Sequence, residues 1–244
     1  MKNIEDITPY GGTQSDKKGE VAQMFNNISA RYDFLNILLS MGIDRIWRRK
    51  LAKEIKQHQP INILDVATGT GDLAVALVRT KAKKIVGVDI SEGMLEVGKK
   101  KIAQLNLEKT IELQVGDSEQ LAFEDESFDA VTVAFGVRNF QNLEKGLSEI
   151  YRVLKPQAPL AILEFSKPTN WFYRRIYFFY FNNVLPFVGR MISKDARAYS
   201  YLPESVHAFP DGLKFKQILK NVGFKKVKLR KLTFGICTLY VAIK

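Results

Sequence analysis

The chain of 244 residues contains one cysteine, Cys237, and two histidines. A single thiol excludes an intrachain disulfide framework. No pair of histidines or cysteines has metal-ligand spacing, so no metal is expected. Long hydrophobic runs are also missing. The longest stretch free of charge, residues 176–189, falls short of the roughly 20 apolar residues that a hydrocarbon core requires. Nothing is therefore expected to span a membrane. Residues 1–19 mix lysines with acids and lack the apolar segment of a secretory signal, which points to the cytoplasm. Neither internal repeats nor low-complexity tracts occur. What is present is ordinary globular composition, 46% hydrophobic and 26% charged, which argues against disorder.

The 37 basic and 26 acidic residues leave a net charge of +11. That balance implies attraction to an anionic partner, either nucleic acid or an acidic lipid surface, and charge alone does not choose between them. Along the chain, residues 1–18 read as a flexible polar tail and residues 19–244 as a single domain. Helical spacing of apolar residues covers 20–39, and a second helix is expected over 45–57. Strands are expected over 61–66, 84–89, 111–115, 128–134 and 159–165, alternating with helices over 73–78, 93–105 and 143–154. That alternation predicts an α/β fold with a parallel sheet covered on both faces. Residues 168–211, rich in aromatics and arginine, break the pattern as a helical insertion, before a helix over 213–222 and two last strands.

The first strand ends in Leu64-Asp65-Val66-Ala67-Thr68-Gly69-Thr70-Gly71-Asp72. Gly69 and Gly71 with Ala74 satisfy G-x-G-x-x-G/A, a pattern that admits a dinucleotide. Asp89, ending the second strand, suits ribose hydroxyls of a dinucleotide or of another adenosine cofactor. Charge favours the latter. At about 5 Å and an effective dielectric of about 20, Asp65 and Asp72 would each oppose a phosphate charge by roughly 3 kcal/mol before screening. The same acids would favour the sulfonium and ammonium of S-adenosylmethionine. Asp117, in Val115-Gly116-Asp117-Ser118, follows the third strand and suits an adenine amino group. After the fourth strand the chain reads Ala134-Phe135-Gly136-Val137-Arg138-Asn139-Phe140. It has neither the Asn/Asp-Pro-Pro-aromatic run of exocyclic amine methylation nor a Pro-Cys pair to attack a pyrimidine. An oxygen or carbon nucleophile is expected.

With the glycine loop, this stretch resembles the ubiquinone/menaquinone biosynthesis C-methyltransferase family. The likeness extends from about Phe25 to Tyr240. It rests on Arg31-Tyr32-Asp33 with Asn36, Trp47-Arg48, Phe135-Gly136-Val137-Arg138-Asn139, Tyr151-Arg152-Val153-Leu154-Lys155-Pro156, Leu163-Glu164-Phe165-Ser166-Lys167-Pro168 and Tyr199-Ser200-Tyr201-Leu202 with Glu204-Ser205. The resemblance implies a class I S-adenosylmethionine-dependent methyltransferase, Rossmann-like, with a seven-stranded mostly parallel sheet whose last strand is antiparallel. It implies S-adenosylmethionine as cofactor and a prenylated quinol ring carbon as acceptor. The expected cofactor-binding residues are Asp65, Gly69, Thr70, Gly71, Asp89, Asp117, Ser118 and Ala134. Three departures stand out: Ala134 where relatives commonly have serine, Lys155-Pro156-Gln157-Ala158 for a Lys-Pro-Gly-Gly turn, and Tyr240 where relatives often have histidine.

The expected catalytic residues are Arg138, Asn139 and Tyr199. Carbon methylation of a hydroquinone needs the neighbouring hydroxyl deprotonated. A phenol-like pKa near 10 leaves about 3 units, roughly 4 kcal/mol, to be supplied at neutral pH. Arg138, a permanent cation, is suited to stabilise that oxyanion and to orient a water as proton acceptor. Asn139 is expected to bond the cofactor or a quinol oxygen, and Tyr32 and Tyr199 to line the pocket. His207 is a weaker candidate for the pocket border. Demethylmenaquinol is the favoured acceptor, because the aromatic insertion and residues 199–210 resemble menaquinone-only members; benzoquinol methylation and a nucleic-acid methyltransferase are the alternatives. The aromatic run Trp171–Phe181 and the basic residues from Lys214 to Lys231 suit an anionic membrane surface. No nucleic-acid partner is expected on the quinol reading, and the sequence leaves a homodimer open.

Overall fold

The computed structural model describes residues 4–12, 15–179, 183 and 196–244. Helices α1 (Lys17–Ser40) and α2 (Ile43–Lys56) precede β1 (Asn62–Val66). Then follow α3 (Asp72–Leu77), β2 (Lys84–Asp89), α4 (Glu92–Gln104), β3 (Ile111–Val115) and β4 (Ala130–Ala134). A 3-10 turn at Val137–Asn139 leads to α5 (Leu143–Val153) and β5 (Pro159–Phe165). The insertion contributes α6 (Trp171–Phe179) and α7 (Ala196–Ala208), and the chain closes with α8 (Leu213–Val222), β6 (Lys225–Leu232) and β7 (Cys237–Ile243).

The seven strands form one sheet in the order β3-β2-β1-β4-β5-β7-β6. The pairings from β3 through β5 are parallel, and β7 runs antiparallel to both β5 and β6. The sheet is therefore mostly parallel with its last strand reversed. Period-two alternation loads both faces. Leu64, Val133, Leu160 and Ile162 pack with Leu147, Ile150, Phe215 and Leu219 on one side. Ile63, Ile85, Ala161 and Leu163 pack with Trp47, Leu51, Leu77 and Leu95 on the other. The strand order reverses between β1 and β4. In such sheets, ligands bind outside the carboxyl ends of the strands at that reversal.

Two stretches differ from the sequence expectation. The fourth strand begins at Ala130, not at residue 128. Phe128 forms only an isolated bridge to Leu154, because the Asp129 carboxylate turns to accept the N–H groups of Ile61 and Asn62 and pairs with Lys155. The supposed tail is the larger correction. Helix α1 starts inside it at Lys17, Ile4 and Ile7 are buried, and Ile7 packs with Val21, Met24 and Tyr201. Lys17 Nζ donates to the Ile4 carbonyl at 2.7 Å, and the Tyr10 N–H to Glu20 Oε2 at 2.7 Å. Two buried aliphatic residues in an otherwise polar stretch are enough to seat it.

Candidate active site

The first and fourth strands feed loops that touch each other. Ala67 and Phe135 both take left-handed backbone, at φ 54° and 60°. Side chains rarely tolerate that region, and such strain collects at functional sites. A Cβ on Gly136 would lie 2.6 Å from the Ala67 Cβ; only glycine allows the approach. On the other side of the loop, a Cβ on Gly98 would meet Leu113 at 2.6 Å and the Thr70 carbonyl at 3.1 Å, so α4 packs tightly beneath the glycine turn.

These loops open a cleft of about 630 Å³, its mouth included, within the range of small-molecule sites. From β1 and β2 it is lined by Gly69, Asp89 and Ile90, and from the loop after β3 by Asp117, Ser118 and Glu119. Ala134, Asn139 and Gln141 come from beyond β4, while Lys18, Phe25 and Tyr32 reach over from α1. Six of the expected cofactor and catalytic positions thus meet here: Gly69, Asp89, Asp117, Ser118, Ala134 and Asn139.

Asp89 accepts the Gly69 N–H at 2.8 Å and the Ser91 N–H at 2.9 Å. Burial pushes its carboxyl above the usual range, against the pull of those N–H groups and that of Ile90. The carboxylate still keeps a lone pair for a ribose hydroxyl. Asp117 accepts the Glu119 N–H at 2.9 Å and takes Lys18 Nζ at 2.5 Å, so a lysine of α1 straps this end of the cleft. Glu119 in turn accepts the N–H groups of Gln141 and Asn142 at 2.8 and 2.9 Å. Three cleft acids and the glycine turn suit a cationic adenosine cofactor. The donor set fits S-adenosylmethionine.

Asp65, Thr70 and Gly71 stand behind the cleft and do not line it. Asp65 is buried under the loop, where it accepts the hydroxyls of Thr68 at 2.6 Å and Thr132 at 2.7 Å. Burial pushes its carboxyl up to about 6. The Thr70 hydroxyl donates to Asp33 at 2.5 Å, joining α1 to the loop, and Gly71 begins α3 in left-handed backbone at φ 77°. Asp72 is spent elsewhere: although burial opposes it, Arg48 and Lys101 hold its carboxyl below the usual range, with Lys101 Nζ at 2.6 Å. The electrostatic case for a cation therefore rests on the surplus of Asp89, Asp117 and Glu119 over Lys18, which the last two share at 2.5 and 3.7 Å, not on the acids flanking the glycines.

Arg138 is 6% exposed. It pairs with the buried carboxylate of Glu164 at 2.9 Å, donates to the Phe135 carbonyl and lies 5.5 Å from the centre of the Phe165 ring. Its neighbour Asn139 accepts the Tyr201 hydroxyl at 3.1 Å, so the insertion is tied to the cleft floor. The side chain of Tyr199 lies outside the described residues; Tyr201 on the same helix is the tyrosine whose contact is seen. Tyr201 is buried and Tyr32 half-buried beside Arg138, and desolvation raises both hydroxyls. His207 borders a separate surface groove with Lys167 and Asp211. Tyr240 is buried, its oxygen accepting the Gly212 N–H at 2.7 Å, which is a structural duty. Among the described residues, no cluster of metal-ligating side chains occurs.

Lys18, Glu119, Phe25 and Gln141 were missed. Glu119 and Gln141 follow motifs already singled out, Asp117-Ser118 and Phe-Gly-x-Arg-Asn, and could have been read from that adjacency. Lys18 and Phe25 carry no such signal, because a polar tail and a helical apolar face say nothing about what lies across from them.

The family model described as ubiE/COQ5 methyltransferase matches residues 13–244. The chain is 48% identical over 241 residues to the demethylmenaquinone methyltransferase of Bacteroides fragilis, covering 98% of both chains. It is 46% identical over 241 residues to the ubiquinone/menaquinone biosynthesis C-methyltransferase UbiE of Geobacter sulfurreducens, covering 98% of this chain and 93% of that one. Among solved structures, an S-adenosylmethionine-dependent methyltransferase of Thermotoga maritima, described as a possible histamine N-methyltransferase, superposes with a TM-score of 0.65 at 19% identity, over 91% of this chain and 98% of that one. That likeness shows the class I methyltransferase fold. Identity of nearly one residue in two along almost the whole chain, with a family model that matches residues 13–244, makes this protein a member of the ubiE/COQ5 methyltransferase family.

Proposed function

We propose that the protein methylates the ring carbon of a prenylated demethylnaphthoquinol, demethylmenaquinol, in menaquinone biosynthesis. When bound, S-adenosylmethionine supplies an electrophilic methyl group. Asp89 would hold its ribose, Asp117 and Ser118 its adenine, and Gly69 the turn against which it lies. The observation that carries the acceptor reading is a buried arginine one residue from the cleft-lining Asn139. Arg138 holds a permanent charge in a site of low exposure, where a neighbouring quinol oxygen gains far more from it than in water. Supplying roughly 4 kcal/mol brings a hydroxyl of pKa near 10 to its anion at neutral pH. The anion's electron density then reaches the ortho ring carbon that takes the methyl. Asn139, fixed by Tyr201, orients the ring or the donor, and Tyr32 closes the wall on the α1 side.

Arg138→Ala tests the assignment. The expected result is a loss of turnover by about 100-fold or more, of the size seen when an oxyanion donor is removed, with donor binding within about threefold of wild type. Unchanged turnover with donor binding intact would remove Arg138 from the chemistry.

Part of the same reading is contact with an anionic lipid surface. No helix among the described residues is long and apolar enough to cross a membrane. Trp171 (72%) and Phe234 (62%) are exposed, and Arg174 and Arg175 are exposed on α6. They are linked in space: Lys231 bonds Thr169, just before α6, and Gly235, next to Phe234, lies against Pro168. Aromatic residues beside cations suit the interface of a bilayer. The lysines of β6 have a separate explanation, since they protect an edge strand from pairing. Co-sedimentation with vesicles containing acidic lipid should fall several-fold in Trp171→Ala/Phe234→Ala; binding that ignores both substitutions and salt would overturn this contact.

A further inference from the structure

Glu164 has no exposure at all. It lies on β5, opposite Thr238 of β7. A buried carboxylate is costly, and an ion pair in that position is weak evidence of stability, because apolar residues of the same volume often serve as well. What the carboxylate does geometrically is specific. Oε1 accepts Arg138 Nη1 at 2.9 Å and the Phe165 N–H at 2.9 Å, while Oε2 faces the Arg138 main-chain N–H at 3.4 Å. The Phe135 carbonyl takes Nη1 as well. One residue therefore grips Arg138 by both its backbone and one edge of its guanidinium. The opposite outcome holds at Nε, a buried donor of Arg138 with no hydrogen-bond partner. An orphaned donor inside a protein demands an explanation, and a ligand oxygen is one.

We propose that Glu164 is a positioning residue for the methyl transfer: it clamps Arg138 so that Nε is kept for the acceptor's oxygen, and its charge sets how strongly Arg138 favours the oxyanion. This rests on the quinol reading above. Burial raises the Glu164 carboxyl and Arg138 draws it back down; where it is ionised it balances part of the guanidinium's field, so removing its charge while keeping its shape strengthens that field on the bound hydroxyl. Charged and titratable groups packed around the pair are Tyr32 from α1, Arg48 from α2, Tyr177 from α6, Tyr201 from α7, and Cys237 and Tyr240 from β7. Burial raises the four hydroxyls and the thiol, keeping them neutral at working pH. The Arg48 guanidinium pairs with Asp44. Lys17, whose Nζ reaches the Arg138 carbonyl at 3.3 Å, is lowered by burial to about 8, so the profiles are compared below pH 7.5, where it keeps its charge.

The test is the pH profile of kcat for wild type, Glu164→Gln and Glu164→Asp, with the quinol kept reduced and both substrates saturating. In Glu164→Gln the acidic limb is expected to move about 0.5–1 unit to lower pH, with the donor's Kd within about twofold of wild type. In Glu164→Asp, which keeps the charge on a shorter arm, the limb is expected to stay in place while kcat drops about tenfold. An unmoved limb in Glu164→Gln would reduce Glu164 to a structural role. Loss of activity at every pH in a folded, donor-binding Glu164→Gln would make the carboxylate itself the proton acceptor and overturn the proposal. Should Glu164→Gln fail to fold, a shifted limb in Glu164→Asp overturns it equally. Wild type that methylates no quinol would instead sink the acceptor reading before any variant is compared.

Discussion

Replacing Asp65 by asparagine should make the protein more stable at neutral pH and less stable in acid. Asp65 is buried beneath the glycine loop with its two oxygens on the hydroxyls of Thr68 and Thr132. Burial lifts its pKa from 3.8 to about 6. The folded state thus binds the proton more tightly than the unfolded chain does. The stability this group contributes is full below about pH 4 and is lost as pH rises through about 6. The loss is about 3 kcal/mol, from two units at 1.36 kcal/mol each. Asparagine never ionises and escapes that loss, but its NH2 cannot accept a threonine hydroxyl as the oxygen of the acid's OH can, at a cost of about 1 kcal/mol. The net expectation at pH 7 is about 2 kcal/mol in favour of Asp65→Asn, or roughly 4–8 °C in Tm for a domain of this size. Near pH 4 the sign reverses, with wild type about 1 kcal/mol ahead. Urea unfolding of both proteins without donor, from pH 4 to 7.5, reads the difference directly. Parallel curves across that range would refute the account of Asp65.

Asp89→Asn should weaken donor binding about tenfold or more by calorimetry, because the amide replaces one acceptor oxygen with a donor that the ribose does not match; an unchanged Kd would take Asp89 out of the cofactor site. Tyr240→Phe should cost about 1–3 kcal/mol of stability by stranding the Gly212 N–H, while kcat in the surviving folded enzyme stays within about twofold. Gln157 sits in left-handed backbone at φ 64°, a conformation that favours glycine. Gln157→Gly should raise the unfolding free energy by up to about 1 kcal/mol, and a destabilised variant would show that the turn carries no strain.

The fold was legible because a parallel sheet buries both faces of its strands. Residues 84–89, 111–115 and 159–165 read as short apolar runs closed by turn residues, and β2, β3 and β5 have those bounds. The site was half legible for a related reason. Ligands gather at the carboxyl ends of strands, so Asp89, Asp117, Ala134 and Asn139 could be picked from their places in the chain. Orientation could not be picked in the same way. Asp65 is one residue from the end of β1, and the alternation of the strand turns it under the loop; Asp72, in the first turn of α3, meets Arg48 and Lys101 from α2 and α4. Neither partner is near in sequence. The N-terminal segment was misread because composition averages over it, while its seating depends on Ile4, Ile7 and a lysine whose chain must lie buried to reach the Ile4 carbonyl.

The central claim is the acceptor. Transfer of label from methyl-labelled S-adenosylmethionine is to be measured with a short-tailed demethylmenaquinol kept reduced, beside the matching benzoquinol and total RNA. Label on the ring carbon of the naphthoquinol, with little on the benzoquinol and none on RNA, is the predicted result. Equal label on both quinols would widen the acceptor class, and label on RNA alone would contradict the quinol reading while leaving the donor cleft as described.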